Sequence, residues 1–244
     1  MENLTPYTEH FVVRSHEIDP VERITFTALV GLLQDIATTH ANLLGVGFDA
    51  LRKENLFWAI SRMYYQIEHL PKWREKFSIT TWHKCYQGVM SIRDFLLKDA
   101  NGNVLIRATS SWIIVDLDKR HIKRSEQICG DLYLHPENAI ERTALKVLVP
   151  NTLEMKKEGE IVPRFSNIDM NRHVNNVNYY TWALDYLPLD LVDINIKLLE
   201  INFLAEAKEG VLMDVYYAND SNIWYCDMKN HENGNSHCKI RLEL

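Results

Sequence analysis

Polar side chains that could act on a carbonyl group crowd into one short stretch, from Asp169 to Asn176. It reads Asp-Met-Asn-Arg-His-Val-Asn-Asn and stands directly before a segment with helical periodicity. A helix N-terminus presents unpaired backbone N–H groups and the positive end of the helix dipole, which suits a developing oxyanion. Asn and Asp also cap helices and form turns, so a loop without chemistry explains the same residue types.

An internal repeat helps to separate these two interpretations. The Ile-Asp pair at Asp169 recurs at Asp19, and each pair precedes a helical pattern. At the matching positions of the first half, Asn171 is replaced by Val21 and His173 by Arg23. Capping alone would not require an Asn–His pair in one half only, so the asymmetry favours a chemical role for the second half.

Glu206 is the carboxylate that could complete such a site. A second repeated stretch aligns the residues from Ile67 with those from Ile201, and in this alignment Glu206 corresponds to Lys72. Glu is most often a solvated surface residue. We therefore expect Glu206 to act as a base only if the fold brings it close to His173.

Each half is predicted to have one helix followed by four strands. Apolar positions predict a helix over 26–44, with Thr25 as N-cap and Gly45 as its end, and a shorter helix from Val177 that Pro188 ends. Asn101-Gly102 and Asn233-Gly234 predict two-residue hairpin turns with positive φ at both central positions. The predicted strands are 58–69, 77–86, 90–98 and 104–116 in the first half, and 196–204, 211–217, 223–229 and 236–244 in the second.

These elements predict an α+β fold in which each half wraps an antiparallel sheet around a central helix. A helix that is apolar over a broad face needs burial on most sides, and a curved sheet provides it. Joining the halves edge to edge would remove exposed sheet edges. The predicted domains are 1–124 and 158–244, connected by a polar linker over 125–157 with one or two short helices.

Composition excludes several other classes of protein. The chain has 244 residues, of which 46% are apolar and 25% charged, and its net charge is −6. It has no apolar run of about 18 residues for a membrane span and no overall positive charge for nucleic acid. The N-terminus lacks the pattern of a signal peptide, which predicts a cytoplasmic protein.

Cysteine and histidine spacing gives no sign of a metal centre. Cys85, Cys129, Cys226 and Cys238 form no Cys-x-x-Cys pair, so we expect reduced, mostly buried thiols. The stretch 231–238 contains His231, His237 and Cys238, but its Asn-Gly turn explains it better than a metal site does.

The residues described so far carry a resemblance to a known family. The Asp169–Asn176 motif, together with 14–18, 58–63 and 107–112, resembles the acyl-acyl carrier protein (ACP) thioesterases of plant plastids and bacteria. The resemblance extends over almost the whole chain. It implies a tandem (double) hotdog fold, and hydrolysis of the thioester between a fatty acyl chain and the phosphopantetheine arm of ACP, a reaction of fatty acid biosynthesis.

The resemblance also implies a catalytic set. Asp169, Asn171, His173 and Glu206 match the Asp, Asn, His and Glu of the family. Ala207 stands where plant members have Cys, which favours water as the nucleophile. Glu206, alone or with His173, would activate the water, and Asn171 would position the water or the carbonyl group. Asp169 would orient Asn171 or His173. The opposite assignment, in which Asp169 is the base and Glu206 orients, stays open. The expected oxyanion donors are the backbone N–H groups of Asn175, Asn176 and Val177.

Substrate binding is predicted more broadly. The first-half helix and the residues Trp58, Met63, Phe95 and Trp112 are candidates for an acyl tunnel, although aromatic residues usually pack in the core. The acidic ACP could dock on either of two basic clusters, and no cofactor or metal is expected. The clusters are Lys72, Arg74 and Lys76, and Lys119, Arg120, Lys123 and Arg124. The oligomeric state could be monomer or homodimer.

Three other functions use similar features. An acyl-CoA thioesterase shares the chemistry but not the protein carrier, and a hotdog dehydratase would act on hydroxyacyl thioesters. A module that binds ACP or an acyl thioester without turnover is the non-enzymatic alternative. The Asn171, His173 and Glu206 set argues against such a module, and tight binding of ACP without hydrolysis would support it.

Overall fold

The computed structural model describes residues 6–190, 192 and 194–244. These residues form four α-helices, eleven strands and a short 3₁₀ helix at Phe165–Asn167. The helices are α1 (Phe26–Leu43), α2 (Phe48–Lys53), α3 (Ser125–Cys129) and α4 (Val177–Asp185). The strands are β1 (Tyr7–Val12), β2 (Leu56–Ile67), β3 (Lys76–Gln87), β4 (Met90–Asp99), β5 (Val104–Asp116), β6 (Ile122–Lys123), β7 (Lys156–Ile161), β8 (Leu198–Phe203), β9 (Met213–Asp220), β10 (Ile223–Asn230) and β11 (Ser236–Glu243).

One antiparallel sheet runs through both halves. Its strand order is β1-β3-β4-β5-β2-β8-β11-β10-β9-β7, and β6 pairs with β5. The halves meet where β2 pairs with β8, with Met63 opposite Ile201. The predicted edge-to-edge joining of the two helix-centred units is therefore confirmed.

The predicted strands correspond to β2–β5 and β8–β11, whereas β1, β6 and β7 were not predicted. β1 and β7 lie at the two ends of the sheet, beside β3 and β9. β7, Lys-Lys-Glu-Gly-Glu-Ile, has one apolar residue, and β1, Tyr-Thr-Glu-His-Phe-Val, alternates half-buried and exposed positions, as expected of strands at a sheet edge. Charged residues at sheet edges also oppose pairing with other chains.

Helix α1 is the central buried element of the first half. Thr25 caps it, since its hydroxyl accepts from the Ala28 N–H, and the chain leaves the helix through Gly45 at φ +76°. The α1 and α4 helices lie together inside the sheet, where the hydroxyls of Thr27 and Thr181 form a hydrogen bond. The buried residues of α1 are Phe26, Leu29, Val30, Leu33, Ile36, Ala37, His40 and Ala41.

The Asn-Gly hairpins are longer than predicted. The Asp99 N–H donates to Asn103 O, so residues 100–102 form the loop, and only Gly102 has positive φ (+87°). The Asp99 carboxylate accepts the N–H groups of Asn101 and Asn103. This side-chain acceptor favours the longer loop, in which one glycine is sufficient.

The segment between the halves covers the outer face of the first-half sheet. Ala139 N–H donates to Asp94 Oδ2, and Lys84 Nζ lies 3.2 Å from the same carboxylate oxygen. The segment contains α3 and then no further α-helix or strand before β7, which begins at Lys156. Within the described residues, no helix has both the length and the apolar character that a membrane crossing requires.

Candidate active site

The second-half loop is held in shape by Asp169. Its Oδ1 accepts the backbone N–H groups of Asn171 (2.8 Å) and His173 (3.2 Å), and its own N–H donates to His173 O. Arg172 completes the turn at φ +64°. The turn brings the side chains of Asn171 and His173 to one cavity wall, but Asp169 holds both residues through their backbones rather than through their side chains.

Glu206 lies beside His173, as the site requires. The loop is anchored to the segment after β8 because Val174 N–H donates to Ala207 O at 2.9 Å. Glu206 Oε2 is then 3.2 Å from His173 Nε2. The Ala207 side chain is buried and does not line the cavity, and neither does any of the four cysteines, all of which are free thiols.

Arg120 also reaches this pair, from the other half of the chain. It lies in the turn between β5 and β6, and its Nη2 forms an ion pair with Glu206 Oε2. Its guanidinium group is 5.3 Å from the centre of the Phe57 ring. The sequence placed Arg120 only in a basic cluster, because pairing across the two halves leaves no pattern in the local sequence.

The other predicted docking residues do not reach the catalytic pair. Lys123 lies 3.7 Å from Asp116, and the Arg74 guanidinium group stacks on Trp73. The remaining cations are exposed; they are Lys72, Lys76, Lys119 and Arg124.

His173 is held in its neutral form. Burial lowers the pKa of its imidazole, and the positive charges of Arg120 and Lys208 lower it further, while Asp169 opposes the shift. Only 18% of the His173 side chain is exposed, against 40% for Glu206. A neutral imidazole retains one nitrogen that can accept a proton.

A cavity of about 800 Å³ opens at these residues and is lined by both halves. Asp169, Asn171, His173 and Glu206 all line it, together with apolar residues of α1 and β2 such as Ala37 and Ile60. The predicted tunnel residues Trp58 and Trp112 also line it. Met63 and Phe95 do not, because both are buried in the core; the Met63 sulfur accepts a hydrogen bond from Tyr65 Oη.

The predicted oxyanion donors reduce to one. Asn175 N–H already donates to Asn167 O, and Val177 N–H donates to Asn175 Oδ1. Asn176 is the N-cap of α4 and lines the cavity, and its N–H has no acceptor among the described residues. Intramolecular capping therefore removes Asn175 and Val177 from the candidate donors.

The first-half loop has the same backbone but different side chains. Asp19 Oδ1 accepts the N–H groups of Val21 and Arg23, and Glu22 takes positive φ. Arg23 Nε then binds Asp19 Oδ2 at 2.9 Å, and its Nη1 donates to Ile194 O.

The first-half counterpart of Glu206 is Leu70, not Lys72. Ile24 N–H donates to Pro71 O just as Val174 N–H donates to Ala207 O, so Pro71 matches Ala207 and the preceding residues match each other. The alignment from sequence was therefore shifted by two residues, because the matching stretches share few identical residues.

His231 joins a different group from the one its sequence neighbours suggested. It lies within hydrogen-bonding distance of Asp214, and these two residues group with Glu160. Lys157 Nζ contacts both Glu160 (2.6 Å) and Asp214 (2.8 Å). A lysine thus already balances the carboxylates of this group.

Comparison with known proteins gives consistent matches along the chain. The family models "Acyl-ACP thioesterase N-terminal domain" and "Acyl-ACP thioesterase C-terminal domain" match residues 5–132 and 151–244. The chain is 31% identical over 232 residues to oleoyl-acyl carrier protein thioesterase 2 of Arabidopsis thaliana. The matched region covers 88% of this chain and 63% of that protein. It thus spans just under two thirds of this chloroplastic relative.

Solved structures match over nearly the full chain. An acyl-ACP thioesterase from Bacteroides thetaiotaomicron has a TM-score of 0.86 and 25% identity, covering 97% of this chain and 96% of the other. The 12:0-ACP thioesterase from Umbellularia californica has a TM-score of 0.85 at 20% identity, with coverage of 100% and 98%. The expected double hotdog fold is confirmed, and the chain belongs to the acyl-ACP thioesterase family.

Proposed function

We propose that this protein hydrolyses the thioester of a fatty acyl-ACP to a free fatty acid and holo-ACP. The observation that carries this proposal is the His173–Glu206 pair, 3.2 Å apart, in the wall of a cavity of about 800 Å³ shared by both halves. The second half supplies the catalytic side chains, and the first half supplies α1 and β2 as the surface that holds the acyl chain. The names of the relatives support ACP as the carrier.

The reaction begins with a water molecule held by the Glu206 carboxylate beside His173. Glu206 Oε2 contacts both His173 and Arg120, so Oε1 is the oxygen that faces a water. As the water oxygen attacks the thioester carbon, its proton passes to the Glu206 carboxylate. A positioned base of this kind contributes about 10²–10⁴ to the rate.

The resulting oxyanion needs hydrogen-bond donors. The Asn176 N–H at the start of α4 and the Asn171 amide are the candidates on the cavity wall. When the intermediate collapses, the carbon–sulfur bond breaks and the thiolate of phosphopantetheine leaves. It takes up the proton that Glu206 received from the water, which restores the Glu206 carboxylate. A thiol with a pKa of about 8.5 leaves readily, so this step requires no metal.

Asp169 is the competing candidate for the base. Asp169 lines the same cavity wall, and its Oδ2 forms no hydrogen bond with a described residue, whereas its Oδ1 accepts two backbone N–H groups. In that assignment Glu206 orients His173. We favour Glu206, because Asp169 already has a role in shaping the loop.

The entrance to the site suits an acidic protein carrier. Arg120, Arg172 and Lys208 are exposed around the catalytic loop, and two exposed apolar residues, Met170 and Leu204, line the cavity beside them. Arg120 is paired with Glu206, so Arg172 and Lys208 are the exposed cations outside that ion pair, in a chain whose net charge is −6. A cationic rim around an apolar opening would attract ACP and admit its acyl arm.

Free-thiol release from acyl-ACPs of increasing chain length, measured beside the matching acyl-CoAs, tests this function. Wild-type protein should release thiol from acyl-ACP with a higher kcat/KM than from acyl-CoA. His173→Ala should abolish release from both without lowering the melting temperature. His10→Ala, which removes an exposed histidine on β1 that does not line the cavity, is the matched control.

Two results would overturn the proposal. Equal kcat/KM for acyl-CoA and acyl-ACP would assign the protein to CoA thioesters. Tight binding of acyl-ACP without any thiol release would assign it to the non-catalytic binding modules.

A further inference from the structure

A second group of polar side chains lines the same cavity, and it belongs entirely to the first half. It comprises Gln34 of α1, His83 of β3, and Ser91 and Arg93 of β4. None of these residues contacts the His173–Glu206 pair. A cavity that held only a hydrocarbon chain would have no use for them.

Arg93 is a buried cation without a carboxylate partner among the described residues. Arg93 is 8% exposed. Its side-chain hydrogen bonds all involve Nη1, which lies 2.7 Å from His40 Nδ1 and 3.1 Å from Thr81 Oγ1. The Nε and Nη2 groups have no acceptor in the described chain. Asp94 follows in sequence but points to the opposite face, where it binds Lys84.

His83 is opposite Arg93 in the β3–β4 pairing, and the centre of its ring lies 4.5 Å from that of the Tyr86 ring. It is 2% exposed, and neither ring nitrogen forms a hydrogen bond with a described residue. Burial and the nearby Arg93 charge lower the pKa of its imidazole to about 4, so the ring is neutral and has one N–H to donate. Gln34 Nε2 is likewise buried without an acceptor.

Such a group is costly unless a ligand completes it. Buried polar groups without partners destabilise a fold, and a buried charge does so more strongly. Here the Arg93 guanidinium group offers only donors, and all four residues line one cavity. The chemistry that would satisfy them is an oxygen atom that accepts hydrogen bonds, with a carboxylate giving the strongest interaction with Arg93.

We propose that Gln34, His83, Ser91 and Arg93 form a subsite for an oxygen substituent on the acyl chain, so that the protein prefers oxygenated acyl thioesters to plain saturated ones. The inference rests on the proposed thioesterase function and adds its substrate class. Plain chains would leave the Arg93 donors unsatisfied or would have to share the cavity with water.

The test uses acyl-ACPs of one chain length that carry no added oxygen, a β-oxo group, a terminal hydroxyl or a terminal carboxylate. At least one oxygenated chain should have a kcat/KM about tenfold or more above that of the plain chain, the gain expected for a hydrogen bond to a charged group. Arg93→Met and His83→Phe should each bring the ratio of kcat/KM for the oxygenated chain to kcat/KM for the plain chain close to one. Arg107→Met, on the neighbouring strand and outside the cavity lining, is the matched control.

The wild-type protein alone can refute the inference, even if the Arg93 variant fails to fold. A plain chain hydrolysed as well as every oxygenated chain would overturn it, and so would a preference that survives His83→Phe. If no acyl-ACP is hydrolysed, the proposed function fails separately, and calorimetric binding of the free acids decides the subsite. Tighter binding of an oxygenated acid that Arg93 or His83 substitution removes would then support it, and equal binding would overturn it.

Discussion

The two loops that precede the central helices share one backbone and differ in chemistry. In each, an aspartate accepts the N–H groups of the residues two and four positions later, and a residue with positive φ closes the turn. In the first-half loop, Arg23 occupies the second oxygen of Asp19. In the second-half loop the matching oxygen of Asp169 has no hydrogen-bond partner among the described residues, and His173 contacts Glu206 instead.

This difference separates scaffold from function. The aspartate builds the same turn in both halves, so its presence alone is no sign of catalysis. In the proposed mechanism, the chemistry depends on the side chains that the turn presents, and on Glu206 in place of Leu70. A tandem fold thus allows one half to hold a chain while the other reacts with it.

Exchanging the side chains between the loops should have the largest effect. His173→Arg should lower kcat for acyl-ACP by about 10²–10⁴, because an arginine would bind Asp169 and remove the imidazole from Glu206. Arg23→His should leave kcat unchanged, since Leu70 offers it no carboxylate. Melting temperatures of both variants check that they fold, and similar losses in both would mean that the first half also takes part in the reaction.

Substitution of the aspartate in each loop should have effects of intermediate size. Asp169→Asn should lower kcat by about tenfold, because an amide oxygen still accepts the two N–H groups but binds them less strongly. Asp19→Asn should affect only stability, through its ion pair with Arg23. A loss in Asp169→Asn as large as that in Glu206→Gln would make Asp169 the base.

Substitution of Arg120, the first-half residue that contacts Glu206, should have a smaller effect, which appears in the pH dependence of kcat/KM. The reaction needs neutral His173, and the folded pKa of His173 lies below 6.5, so kcat/KM should hold as the pH falls through 6.5 and decline only below it. Arg120→Met removes one of the charges that lower this pKa. The acidic limb should therefore move upward, by up to about one pH unit.

Lys119→Met provides the matched control for Arg120, as an exposed neighbouring cation that does not contact Glu206. Its pH profile should overlay that of the wild type. If the acidic limb of the kcat/KM profile of Arg120→Met stays at the wild-type pH, that limb does not report the protonation of His173.

Sequence patterns were sufficient for the repeat, the central helices, eight strands and the position of the Asp169 loop. They worked because apolar periodicity and the Asn-His asymmetry are local properties. The pairing of Arg120 with Glu206 could not be predicted, since it joins distant segments through tertiary packing. The sequence matched Glu206 with Lys72 instead of Leu70 for a similar reason. Only the backbone hydrogen bonds of Ile24 and Val174 fix how the two halves align at this point.

The subsite around Arg93 was also outside the reach of sequence patterns. Phe95 was expected in the tunnel because it is aromatic, whereas Ser91 and Arg93, earlier on β4, line the cavity. Strand alternation places all three on one face, but the depth of the cavity decides which of them reach it.

The most direct test compares Glu206→Gln with Leu70→Gln in single-turnover hydrolysis of acyl-ACP. With enzyme in excess, the rate of thiol release reports the chemical step without product release. Glu206→Gln should slow this step by about a hundredfold or more, while Leu70→Gln should match the wild type. Equal rates in Glu206→Gln and wild type would contradict the account, because the carboxylate beside His173 would then have no part in activating water.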